Sequence, residues 1–94
     1  MRTLVWSSHF SRSLRRKLRQ NPPLRQPIEE ALRQLADDPF HPSLHSHKLK
    51  GDLAGAWACT VDFDNRILFE FVADPTSAQD AIHLLALGTH DEVY

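Results

Sequence analysis

At Trp57 the spacing of apolar residues drops from three or four to two, and no other feature restricts the possible folds of this chain so strongly. Before that point Phe10, Leu14 and Leu18 recur every fourth residue, and Leu24, Ile28, Leu32 and Leu35 follow at spacings of four, four and three. Such a period puts one apolar stripe on a helix. After it, Trp57, Cys59, Val61 and Phe63 alternate with Ala58, Thr60 and Asp62. That is the period of a half-buried strand. Helices lead and strands follow, so the chain is expected to be an α+β fold, with two N-terminal antiparallel helices packed on an antiparallel sheet in the order β-α-α-β-β-β.

Local signals set the boundaries. Residues 2 to 6, RTLVW, form a short β-prone run, and Ser7 and Ser8 can each cap a following helix by accepting a backbone N–H bond. Asn21, Pro22 and Pro23 stop the first helix, because proline lacks the N–H donor and disfavours helix in the residue before it. Pro27 fits best in the first turn of the second helix, and Asp37, Asp38 and Pro39 end it. A histidine-rich loop with further turn residues follows, from Phe40 to Ser46. The first hairpin strand is expected to run to Phe63, with Asp64 and Asn65 as the turn. Arg66 to Val72 then returns antiparallel, with Ile67, Phe69 and Phe71 on one face and Arg66, Leu68 and Glu70 on the other. A polar loop leads to a third run, Ala81 to Leu87.

A single domain over residues 1–94 is expected, since a chain of this length buries roughly two thirds of its unfolded surface in one core. A charged fraction of 24% without a long polar run argues against disorder. No apolar stretch approaches the roughly 18 residues of a membrane span, and the Leu4–Trp6 run is too short for a signal-peptide core, so a cytoplasmic location is expected. Cys59 has no partner for an intramolecular disulfide and reads as a small core hydrophobe.

The net charge of -1 hides an asymmetry: residues 1 to 35 carry eight Lys/Arg and two acids, whereas 36 to 94 carry three and ten. Arg12, Arg15, Arg16, Lys17 and Arg19 form a basic stripe that suits nucleic acid, or equally an ordinary solvated helix face. His41, His45 and His47 suggest zinc only weakly, since a closed site needs four ligands and there is no second cysteine. Asp62 and Asp64 suit a turn better than a magnesium site. His83 reads as a hydrogen-bonded strand residue and His9 as a first-turn helix residue.

Three segments in order, HKLKG at 47–51, WACTVDFDNRILF at 57–69 and LLALGTHDEVY at 84–94, resemble the RelE superfamily of toxin-antitoxin ribonucleases along the whole chain. The ending Gly88-Thr89-His90 with a C-terminal aromatic looks most like its YafQ-type branch. The resemblance implies a messenger-RNA endoribonuclease toxin that needs no metal or other cofactor, acts on mRNA in the ribosomal A site and is silenced by a partner antitoxin. Operator DNA would be reached only through the antitoxin.

It also implies site residues. His90 matches the catalytic histidine two residues after the glycine of the last strand, and His47 matches a histidine at the edge of the cleft. Arg66 matches a phosphate-contacting arginine after the hairpin turn, and Tyr94 an aromatic that touches a base. In this reading His47 and His90 act as general base and general acid, in either order, with Arg66 and Tyr94 beside them. Lys48, Lys50, Arg15, Arg16 and Lys17 are expected to bind the substrate. The chain departs from RelE-type members in having Ala58, Cys59 and Thr60 where they carry lysines, and no histidine lies between Trp57 and Arg66. The alternative is a ParE-like toxin of the same fold, which inhibits DNA gyrase by binding and lacks the catalytic set.

Overall fold

A computed structural model describes all 94 residues, Met1–Tyr94. Strand β1 (Leu4–Trp6) leads into helix α1 (Ser8–Gln20), and Ser7 caps that helix by accepting the Phe10 N–H on its hydroxyl at 3.0 Å. A short 3-10 turn through Pro22–Leu24 joins it to α2 (Arg25–Asp37). Strand β2 (His47–Lys48), β3 (Trp57–Thr60), β4 (Asn65–Val72) and β5 (Ala81–Thr89) follow, and a four-residue helix α3 (His90–Val93) closes the chain.

The five strands form one sheet in the order β1-β5-β4-β3-β2. Its pairs are antiparallel except at one edge, where β1 runs parallel to β5 with Leu4 opposite Ile82 and Trp6 opposite Leu84. The expected all-antiparallel sheet is thereby corrected. Periodicity reports which face a strand buries and is blind to its partner's direction. The edge is stitched by Ile82 N–H to the Thr3 carbonyl at 2.9 Å and Ser7 N–H to the Leu84 carbonyl at 3.1 Å.

One core lies between the helices and the sheet. Phe10, Ile28 and Leu35 meet Ile67, Phe69, Ile82 and Leu84 there, all buried. Burying each such side chain stabilises the fold by about 1.5–3 kcal/mol. Cys59 belongs to this cluster, and burial pushes its thiol up to about 12, so it stays protonated and unreactive at neutral pH. Leu84 and Leu87 both face the core although an odd spacing would put them on opposite sides of a regular strand. A bulge resolves the conflict: Leu68 pairs with Ala86 and Phe69 with Leu84, leaving Leu85 as the extra residue.

The first hairpin also differs from expectation. Strand β3 stops at Thr60, and Phe63, expected on the strand's buried face, is 93% exposed at the tip of the turn. Asp62 causes this, because its Oδ1 accepts N–H bonds from Asp64 at 3.0 Å and Asn65 at 2.7 Å and another from the Asn65 side-chain amide at 3.1 Å. The turn is built on Asp62, while Asn65 is already the buried first residue of β4. No helix is long and apolar enough to cross a membrane.

Candidate active site

Three of the candidate residues, Arg66, His90 and Tyr94, lie where β4 and β5 meet at the end of the sheet. Arg66 lies directly opposite Gly88, so its side chain leaves the face away from the helical core, which Leu87 and Ile67 occupy. Its Nη1 donates to the carbonyls of Asp62 at 2.8 Å, Asn65 at 3.0 Å and Phe63 at 3.2 Å, which hold the guanidinium under the hairpin turn. The same turn that ends β3 therefore positions the arginine.

Two residues beyond Gly88 the chain turns into α3, whose first residue is His90. Thr89 and Glu92 form a reciprocal capping box, with the Thr89 N–H donating to Glu92 Oε1 at 2.7 Å. The helix lies close over Gly88: a Cβ there would meet Glu92 Cβ at 3.0 Å and Val93 Cγ1 at 3.3 Å. One helical turn separates His90 from Tyr94, and the Tyr94 N–H donates to the His90 carbonyl at 3.0 Å. Their rings meet with centroids 4.4 Å apart and planes tilted by 48°. Partial burial raises the Tyr94 hydroxyl above its ordinary value, and the positive charge of nearby Arg66 opposes that shift. The phenol is therefore neutral at cellular pH. His90, with 77% of its side chain exposed, rests against Tyr94, and its Nδ1 lies 3.6 Å from the Asp91 carboxylate.

His47 is not part of this cluster. It sits on β2 opposite Ala58, which pairs with Leu68, which pairs with Ala86. That places it three strands across and four residues back from His90, about 20 Å at the backbone for a flat sheet of ordinary spacing. The expectation that the two imidazoles face each other is corrected on this point: His47 lies on the edge strand β2, whereas His90 lies in α3 beyond the end of β5, and the His47 Nδ1 lies 3.1 Å from the His45 carbonyl. Lys48 beside it places its ammonium 5.6 Å from the centre of the Trp57 ring, and Lys50 is exposed.

Lys17 needs a second correction. Expected to meet substrate, it instead pairs with Glu92 at 2.6 Å, and only 11% of its side chain is exposed. Arg15 and Arg16 do face solvent. With Arg12 and Arg19 they line a shallow depression of about 290 Å³, and none of the four has an acidic partner. His83 bonds Glu70 at 2.9 Å within the sheet, and His41 bonds Ser43 at 2.8 Å within its loop. No three His, Cys, Asp or Glu side chains come together as a group that could hold a metal ion.

Reading the sequence misses the roles of Gly88 and Glu92, although the pattern Thr89-His90-Asp91-Glu92 is a capping-box signature and marks a helix start. The signal is easily passed over because only four residues separate Thr89 from the last residue or coincide with α3, too few for an apolar period to show.

Comparison with known proteins identifies the family and the fold. The family model describing the YafQ bacterial toxin of type II toxin-antitoxin systems matches residues 2–94. Among solved structures, YafQ from Escherichia coli BL21(DE3) superposes with a TM-score of 0.78 at 13% identity, covering 100% of this chain and 99% of that one. The E. coli DinJ-YafQ toxin-antitoxin complex gives 0.75 at 13% identity, covering 99% and 97%. A YoeB/ParE toxin from Agrobacterium tumefaciens gives 0.76 at 19% identity, covering 94% and 98%. At these identities the superpositions speak for the fold alone. No curated protein matches by sequence.

Proposed function

Because this chain belongs to the YafQ family of type II toxin-antitoxin toxins, we propose that it is a metal-independent endoribonuclease acting on messenger RNA in the cytoplasm, and that an antitoxin protein silences it. The observation that carries the reading is the exposed His90 imidazole resting on Tyr94, with Arg66 fixed beside them. None of these three groups is needed to fill the core.

In the reaction, the ribose 2′-oxygen attacks the adjacent phosphorus and its proton passes to a base. The bond from phosphorus to the 5′-oxygen breaks as an acid protonates that oxygen, leaving a 2′,3′-cyclic phosphate and a 5′-hydroxyl. An imidazole suits either proton transfer, since with an ordinary pKa near ~6.5 both of its forms are populated at cellular pH; each transfer contributes about 100- to 10,000-fold in rate. His90 carries one of the two proton transfers and solvent water carries the other. Arg66, already oriented by three carbonyls, stabilises the added charge on the pentacoordinate phosphorus. Tyr94 offers an aromatic face to a base, an interaction worth roughly 1–3 kcal/mol. His47, on the edge strand β2 with Lys48 and Lys50 nearby, engages the RNA away from the cleaved bond. Arg15 and Arg16, with Arg12 and Arg19, give the chain beyond it an unpaired cationic track. The ribosomal A site is the proposed setting of the cut. The E. coli relative is seen in complex with DinJ, and a partner of that antitoxin kind is proposed here, with operator DNA bound through the antitoxin.

The test is induced expression with mapping of transcript 5′ ends for the native chain, His90→Ala and His47→Ala. His90→Ala is expected to lose about two to four orders of magnitude in cleavage while remaining folded. His47→Ala should lose about tenfold, through weaker binding. Full growth arrest by His90→Ala without transcript cleavage would overturn the nuclease and favour a ParE-like gyrase-binding toxin.

A further inference from the structure

Helix α3 and its C-cap residue Tyr94 carry two of the three groups assigned to the chemistry, yet none of the helix residues is buried. Packing alone does not hold so short a segment, since an isolated helix even three times this length is marginal in water. What ties it down is Glu92. Its Oε1 accepts the Thr89 N–H at 2.7 Å and meets the Lys17 ammonium at 2.6 Å, while its Cβ and the Val93 side chain rest against the bare Cα of Gly88. Lys17 stands apart from the four arginines that line the depression on its own helix, with its stem packed and 11% of its side chain exposed. Its ammonium is thus committed to the C-terminal segment.

We propose that Lys17 and Glu92 form a latch between α1 and α3 that positions His90 and Tyr94 beside Arg66, so that both are positioning residues for the cleavage reaction. The assignment rests on the nuclease reading for its consequence, though not for the latch itself. The ion pair fixes Glu92, and Glu92 fixes the first turn of α3 through its bond to Thr89. That turn sets the direction in which the imidazole leaves the chain. The Lys17 ammonium and the Thr89 N–H hold the Glu92 carboxyl down to about 2. The latch therefore stays charged across the cellular pH range. Because Glu92 is part-exposed, salt weakens it.

Two variants separate the pair from the cap. Lys17→Met keeps the packed stem and removes the charge; Glu92→Gln keeps the acceptor for Thr89 and removes the ionic partner. The proximity of the His90 and Tyr94 rings is read by NMR in the intact free protein, with the sheet amides as a control for folding, and single-turnover cleavage of an RNA oligonucleotide is measured in parallel. Both variants are expected to abolish the ring proximity with the sheet signals unchanged, and to slow cleavage at saturating RNA by about 10- to 100-fold, the scale of an ångström of misplacement. Lys17→Arg is expected to restore both. Rings that stay together in both variants, or a Lys17→Arg protein as impaired as Lys17→Met, overturn the latch. Since the ring proximity is read without RNA, a native chain that cuts nothing while its variants part the rings would discard the nuclease and keep the latch.

Discussion

Asp62 shows how much of the site depends on one carboxylate. Its Oδ1 takes three donors, one of them the side-chain amide of buried Asn65, and its carbonyl is the nearest of the three that hold Arg66. Asp62→Ala leaves those donors without an acceptor, two of them on buried Asn65, at a cost of about 1–3 kcal/mol. Urea denaturation is expected to show that loss, and cleavage is expected to fall about tenfold as the guanidinium loosens. Unchanged stability would mean that water replaces the carboxylate fully. That Asp62, Asp64 and Asn65 form a turn is legible in the sequence, because their side chains compete for backbone donors. Which of them is the hub is not. Two carboxylates near the right spacing look alike until the chain is folded, and Phe63 fits the alternation while pointing into solvent.

At the scale of elements, the two long helices and the paired strands β4 and β5 are legible because each buries enough side chains to repeat its period. Strand β1 is legible as a strand but not in its direction, since three residues carry no sign of which way a neighbour runs. The two-residue β2 cannot be read at all, and with it goes the true distance of His47 from His90. Helix α3 is set by its cap and by the glycine beneath it. The backbone of Gly88 is ordinary, so alanine is tolerated there as a strand residue, but its Cβ would press Glu92 and Val93 outward. Gly88→Ala is expected to leave thermal stability nearly unchanged while reducing cleavage about tenfold or more. A fully active Gly88→Ala protein would show that α3 needs no seat.

For the whole molecule, the near-neutral net charge conceals a division: +6 over residues 1–35 and -7 over the rest. The four unpaired arginines of α1 concentrate the positive part on one helix face, and RNA binding is expected to weaken steeply with salt. Each phosphate neutralised by an arginine adds about 0.7 to the slope of log affinity against log salt for a single strand. Replacing Arg12, Arg15, Arg16 and Arg19 together by alanine is therefore expected to flatten the slope by up to about 3, with the cleavage rate at saturating RNA preserved. An unaltered slope would assign that face to a protein partner. The central claim is that the 2′-oxygen of the RNA itself cuts the chain, with His90 moving the proton and no metal involved. It is tested most directly by incubating the purified protein and a synthetic RNA in excess EDTA and weighing the fragments by mass spectrometry. The account predicts fragments ending in 2′,3′-cyclic phosphate and 5′-hydroxyl, and none from an RNA with a 2′-deoxy residue at the cut site; 5′-phosphate ends, or equal cutting of the deoxy substrate, would contradict it.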